Sequence, residues 1–194
     1  GFRAYVDSSE NFVVECAYSN AIDEAFAHLT KTYIYDKLGK VTFNAIYCAD
    51  MSYSPFSSGE SNGFSVEFGA KVAKIPAYLF HNCNVTSVTF ANNCICTEIG
   101  ERAFYGCNDM VSFVVPDYVT TIGSYAFYSC YNLTSLTVGS SITTINSYAF
   151  QYCYDLTGIW VDPNNQNYSS DTKGVLFNKD KTTVVEAPRK LSGA

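Results

Sequence analysis

One motif returns at a nearly fixed interval, and that return decides what the chain can fold into. Ile-x-x-x-Ala-Phe-x-x-Cys runs from Ile99 to Cys107, from Ile122 to Cys130 and from Ile145 to Cys153. A looser copy, Ile75 to Cys83, has Leu79 in place of the alanine. The phenylalanines stand at 80, 104, 127 and 150 and the cysteines at 83, 107, 130 and 153, so both series step by 24, 23 and 23. A short alternating run follows each cysteine. Leu133-x-x-Leu136-x-Val138 is matched by Leu156-x-x-Ile159-x-Val161 and Met110-x-x-Phe113-x-Val115, and by Val85-x-x-Val88-x-Phe90 after one deletion. Self-similarity at such a period is the mark of a stacked array. A lone unit cannot bury enough apolar surface to offset the entropy of ordering it. Stacked units share faces, add ladder hydrogen bonds and close one continuous core.

Degenerate copies precede the clear ones. Val66-x-Phe68, Val72 and Ile75 reproduce the strand and the approach to the motif, Phe56 lies 24 residues before Phe80, and Ile22 to Phe26 reads as a shortened motif. The fold class expected is an α/β repeat solenoid, a leucine-rich-repeat-like horseshoe. Each repeat of about 23 residues supplies one strand, such as Thr134 to Val138, and one short helical or 3₁₀ turn, such as Ser124 to Ser129. Gly123 and Gly139 mark the turns between them. Residues 1–50 are expected to form an N-terminal cap or small leading subdomain, residues 51–161 the repeats, and residues 162–194 a C-terminal capping hairpin and tail. Within the first part, Phe12 to Val14 and Val41 to Phe43 read as strands, and Ala21 to Leu29 as a helix capped by Asn20. Beyond Val161 a polar cluster, 162–167, leads into a hairpin of Gly174 to Phe177 with Thr183 to Val185.

The blocks IGERAFYGC and TIGSYAFYSC, the following NLTSLTV and the closing NYSSDTKGVLFNKDKTTVVEAP together resemble the BspA-type leucine-rich repeat over roughly residues 64–188. The resemblance implies a right-handed solenoid exported to the cell surface of host-associated bacteria or protozoa, with adhesion to host proteins or co-aggregation as the family-level role. No signal-peptide pattern opens the sequence, and Gly1 is read as a mature start or an expression scar.

Charge narrows the partners. Twelve Lys and Arg against eighteen Asp and Glu leave a net −6, with no basic run, which disfavours nucleic acid and anionic membrane surfaces. Apolar runs fall far short of a membrane-spanning helix of about 20 residues. No catalytic set, metal or cofactor is expected. Cys83, Cys107, Cys130 and Cys153 share one repeat position and read as a ladder of buried thiols, although a coil spacing of about 4.8 Å leaves disulfides open on distance alone. Cys94 and Cys96 are separated by one residue, where a zinc or redox pair prefers two. Cys16 and Cys48 both lie in the leading part, where either a pair or two free thiols is open. His28 and His81 are the two histidines, and neither has a nucleophile beside it in sequence; His81 takes the place held by Tyr105, Tyr128 and Gln151 in other copies. The carboxylate pairs Asp23-Glu24 and Glu98/Glu101 lie on no expected cleft.

The binding candidates come from columns. Tyr105 and Tyr128 are expected to stack on one edge, Tyr131 and Tyr154 on another, and Tyr78, Tyr125 and Tyr148 in a third. Such tyrosines either meet a protein or glycan or simply shield the coil edge. On the strand face Ser87, Ser112, Ser135 and Gly158 form one outward column and Thr89, Val114, Thr137 and Trp160 the next. Trp160 is the single tryptophan, read either as a ligand platform or as a residue covered by the C-terminal hairpin. Asn84, Asn132 and Asn167 open N-x-Ser/Thr sequons, relevant only in a glycosylating host. The expectation is a non-enzymatic surface or secreted module that binds a host or cell-surface protein or glycan through Trp160, Thr137, Thr89, Ser135, Tyr105, Tyr128, Tyr131 and Tyr154. The alternatives are a structural spacer with no ligand of its own and an enzyme confined to residues 1–60.

Overall fold

The computed structural model describes residues 2–6, 8, 12–16, 39–45, 50–54, 56 and 63–191. The expected helix at Ala21 to Leu29, its cap Asn20, the shortened motif, the Asp23-Glu24 pair, His28 and Cys48 lie outside the described residues.

Strands β1 (Phe2–Val6), β2 (Phe12–Cys16) and β3 (Lys40–Ala45) precede the clear repeats. Each repeat then supplies a longer strand and a two-residue one: β4 (Phe64–Phe68) and β5 (Lys74–Ile75), β6 (Val85–Phe90) and β7 (Glu98–Ile99), β8 (Ser112–Val114) and β9 (Thr121–Ile122), β10 (Ser135–Val138) and β11 (Thr144–Ile145). Strand β12 (Gly158–Val161) ends the series, followed by β13 (Tyr168–Ser170), β14 (Leu176–Asn178) and β15 (Val184–Glu186). The result is a β-solenoid of about five turns.

The long strands pair in parallel as β2-β3-β4-β6 and, separately, β8-β10-β12, and the short strands as β5-β7-β9-β11. Strand β1 lies antiparallel on β2. The repeat period sets the register. Leu136 sits opposite Phe113 and Ile159, and Thr137 opposite Val114 and Trp160, so every member of a sequence column becomes a spatial neighbour. Inside, Phe80, Phe104, Phe127 and Phe150 form a stacked rail with ring centroids 5.8, 5.4 and 5.9 Å apart. Gly100 and Gly123 let the coils close. A Cβ on Gly123 would stand 2.6 Å from the Glu101 backbone nitrogen.

The expected helical turn does not form: no helix occurs among the described residues. The motif is a six-residue arc whose N–H groups alternate between two directions. In one coil Arg102, Phe104 and Gly106 donate to Ser124, Ala126 and Tyr128 of the next coil, while Ala103, Tyr105 and Cys107 donate back to Gly100, Arg102 and Phe104. The neighbouring arcs follow the same rule: Tyr125, Phe127 and Ser129 donate forward to Ser147, Ala149 and Gln151. The arc closes by placing non-glycine residues at positive φ, at Tyr78 (62°), Arg102 (51°), Tyr125 (57°) and Tyr148 (61°). A helix would spend every N–H within its own coil. Here half of them tie coil to coil, which offsets the cost of the left-handed backbone.

Beyond Val161 the strands β13, β14 and β15 form an antiparallel sheet. That sheet covers the outer edge of β12, where the Ile159 N–H donates to the Gly174 carbonyl at 2.9 Å and the Val161 N–H to Ser170 Oγ at 3.1 Å. Asn165, fully buried, donates through Nδ2 to the carbonyls of Gly139 and Ile142 at 2.9 and 3.0 Å. Its Oδ1 accepts from the Asn167 and Tyr168 N–H groups.

Candidate binding faces

Outward side chains of the long strands alternate with the buried ones, so β6, β8, β10 and β12 present Thr89, Val114, Thr137 and Trp160 side by side. Trp160 is 41% exposed and Val114 64%. The indole folds back along its own strand. Its benzo edge and Nε1 occupy the space that a side chain at position 158 would take, within 2.6–2.9 Å of an ideal Cβ on Gly158. The serine column ends in glycine there, and the missing Cβ makes room for the ring.

Trp160, Thr137 and Val114 border an open hollow of about 400 Å³, together with Pro116, Asp117, Asp162 and Pro163. A second hollow of about 440 Å³ adjoins it, lined by Thr89, Phe90, Tyr118 and again Val114 and Pro116. Ser135 borders neither; it is half-buried one step back along β10, opposite Ser112 and Gly158. Threonine hydroxyls elsewhere are spent on the fold: Thr120, Thr143 and Thr157 donate to the carbonyls of Thr97, Thr120 and Thr134 in the preceding coil, and Thr89 to Val66. Among the described residues, neither Thr137 Oγ1 nor Trp160 Nε1 makes a hydrogen bond. Asp117 and Asp162 each use Oδ1 to hold a turn, accepting from the Ser140 and Asn164 N–H groups, and among the described residues Oδ2 of each has no partner. These two carboxylates escaped the sequence reading because they come from the turns after β8 and β12 rather than from a strand column.

The tyrosine columns stack as expected. Tyr105 and Tyr128 lie 5.0 Å apart with planes 14° from parallel, Tyr131 and Tyr154 5.3 Å apart, and Tyr125 and Tyr148 5.2 Å apart. Two members, Arg102 and Tyr152, were not foreseen. His81 continues the first column, 4.7 Å from Tyr105. Arg102 fills the one non-tyrosine place of the third, its guanidinium 5.3 Å from the Tyr78 ring and 4.8 Å from that of Tyr125. Tyr152 closes edge-on against Tyr128 at 5.0 Å. The three tyrosine columns were readable from the 23-residue step alone. Burial and the Arg102 charge hold the His81 pKa below the usual histidine range.

The thiols are structural. Cys83, Cys94, Cys96, Cys107, Cys130 and Cys153 are buried and none of them is in a disulfide. Cys107, Cys130 and Cys153 donate S–H to the carbonyls of Phe80, Phe104 and Phe127, each at 3.1 Å. Burial pushes the Cys96 thiol up to about 12 and raises those of Cys107 and Cys130 well above their ordinary value, so these three are not poised as thiolates.

Comparison with solved structures finds the same fold. A leucine-rich repeat protein from Eubacterium ventriosum ATCC 27560 superposes with a TM-score of 0.77 at 21% identity, over 99% of this chain and 50% of that one. The pneumococcal vaccine antigen PcpA gives 0.59 at 17%, over 97% and 55%, and a Treponema (T. pallidum) leucine-rich repeat protein 0.53 at 18%, over 81% and 67%. The chain thus spans about half the length of the first two. No curated protein matches its sequence. The BspA type leucine rich repeat region matches residues 73–186 in six copies, more than half of the chain. Family and fold together describe a repeat module for binding or for structure. The chain belongs to the BspA-type leucine-rich repeat family.

Proposed function

We propose that this chain is a non-enzymatic surface or secreted module that adheres to a protein or glycan through its strand face, with Trp160 and Thr137 at the contact. One observation carries the reading. The single tryptophan stands exposed beside an open hollow, while the indole N–H, the Thr137 hydroxyl and two carboxylate oxygens around it have no partner among the described residues. Polar groups of a fold are normally spent on the fold, as the hydroxyls of Thr120, Thr143 and Thr157 are. Surface or secreted placement rests on the family and on likeness in fold to a vaccine antigen. The reading of no catalytic role is supported by the raised thiols of Cys96, Cys107 and Cys130 and by His81 being engaged in a ring stack. The spacer reading is favoured by the tyrosine edge, whose rings are already packed on one another.

The test is saturable binding of the chain to a panel of extracellular-matrix proteins and glycans, wild type against Trp160→Ala, with circular dichroism confirming that both are folded. Binding lost in the folded variant is expected. Absence of wild-type binding across the panel, or binding indifferent to Trp160, overturns the strand-face reading in favour of the spacer.

A further inference from the structure

We infer that the occupant of the Trp160 hollow is an uncharged, hydroxyl-rich glycan, taken pyranose-first, an inference that rests on the strand-face reading above. The argument starts with what the hollow lacks. An extended peptide joining a sheet needs a free strand edge, and the outer edge of β12 is taken by Gly174 and Ser170. A protein partner gains most from clustered aromatic anchors. The Trp160 hollow offers one indole beside Thr137 and Val114, Phe90 and Tyr118 line the adjoining hollow, and the stacked ring columns lie on the tyrosine edge.

What the hollow has is complementary to a sugar. Its apolar lining of Trp160, Val114, Pro116 and Pro163 suits the C–H face of a pyranose. Asp117 Oδ2 and Asp162 Oδ2 are acceptors for sugar hydroxyls, Trp160 Nε1 is a donor, and Thr137 Oγ1 is either. Its volume of about 400 Å³ is at the small end of ligand clefts, which run from roughly 300 to 1,000 Å³. Charge then selects among glycans. Among the described residues no lysine or arginine lines the hollow and both titratable lining groups are carboxylates, and the chain carries a net −6. Sialylated or sulfated termini would meet like charge.

Gly158 belongs to the site although it touches no ligand. The indole lies in the space its missing side chain leaves, so a serine there, restoring the repeat column, lifts the ring out of position.

The experiment is calorimetric titration of the folded full chain with a galactose-terminated biantennary N-glycan and with the same glycan capped by sialic acid. Trp160→Ala and Gly158→Ser are each expected to weaken the neutral glycan about tenfold or more, with circular dichroism unchanged. The sialylated form is expected to bind at least about fivefold more weakly than the neutral one. That gap should close as salt rises, and close in Asp117→Asn. Equal or tighter binding of the sialylated glycan overturns the inference. So does glycan binding that ignores both variants. If neither glycan binds while a matrix protein still binds through Trp160, the inference falls and the strand-face reading stands; if nothing binds, both fall.

Discussion

The tyrosine edge and the strand face are both aromatic, and they use their rings in opposite ways. On the edge, rings recur at the repeat interval and face one another, so Tyr105 covers Tyr128, Tyr131 covers Tyr154, and Arg102 sits between Tyr78 and Tyr125. On the strand face, Trp160 occurs once, has threonine and valine as its column mates, and rests on its own strand at Gly158. A repeated residue is stabilised by its own copies. A residue that appears once in a column gains nothing from the period, so its role has to be sought outside the stack. The same contrast separates Thr137 from Thr120 and Thr143, whose hydroxyls hold the preceding coil.

That contrast can be broken in four ways, of decreasing size. Phe127→Ala removes a rung of the inner rail and is expected to cost about 3–5 kcal/mol in chemical denaturation; a loss below about 1 kcal/mol would mean the rail does not hold the coils together. Gly123→Ala drives a methyl into the Glu101 backbone and is expected to cost about 1–3 kcal/mol, read as a lowered midpoint. Tyr128→Ala should lose about 1 kcal/mol of stacking, Tyr128→Phe much less, and Trp160→Ala should stay within about 0.5 kcal/mol of wild type. If Trp160→Ala proves the more destabilising of the two alanine variants, the division between repeated and single-copy aromatics is wrong. The smallest effect is pH-dependent. With its folded pKa depressed by burial and by Arg102, neutral His81 contributes stability that is fully present above its unfolded pKa of about 6.5 and is lost as pH falls toward the folded value. His81→Tyr, which installs the residue found at 105 and 128, should flatten that slope in thermal melts between about pH 7 and pH 5.

Much of this was legible from the period alone. A 23-residue step fixes which side chains become neighbours, so the phenylalanine rail, the thiol ladder, the tyrosine columns and the strand-face columns all follow from Phe80 to Phe150 and the runs after each cysteine. The arc was not legible. Ser124 to Ser129 reads as a helical turn because tyrosine and arginine seldom adopt positive φ, and nothing local to the sequence shows that bonds to the next coil compensate for it. The hollow was half legible. Trp160 and Thr137 belong to a column, but Asp117 and Asp162 come from turns whose residues change at every repeat. The fold of the indole onto position 158 becomes visible only when the glycine there is seen as space rather than as a turn.

Asn165 has a consequence for how many coils such an array can have. A stack made by repeating one hydrogen-bonding pattern has no natural length, because each new layer offers the next the same template, and that is the geometry of a fibre. Here the carbonyls of Gly139 and Ile142 are answered by one buried carboxamide, and the edge of β12 by Gly174 and Ser170. The amide imitates a further layer without offering one in turn. Growth along that side is terminated chemically, by the Asn165 carboxamide together with the Gly174 and Ser170 contacts that close the β12 edge.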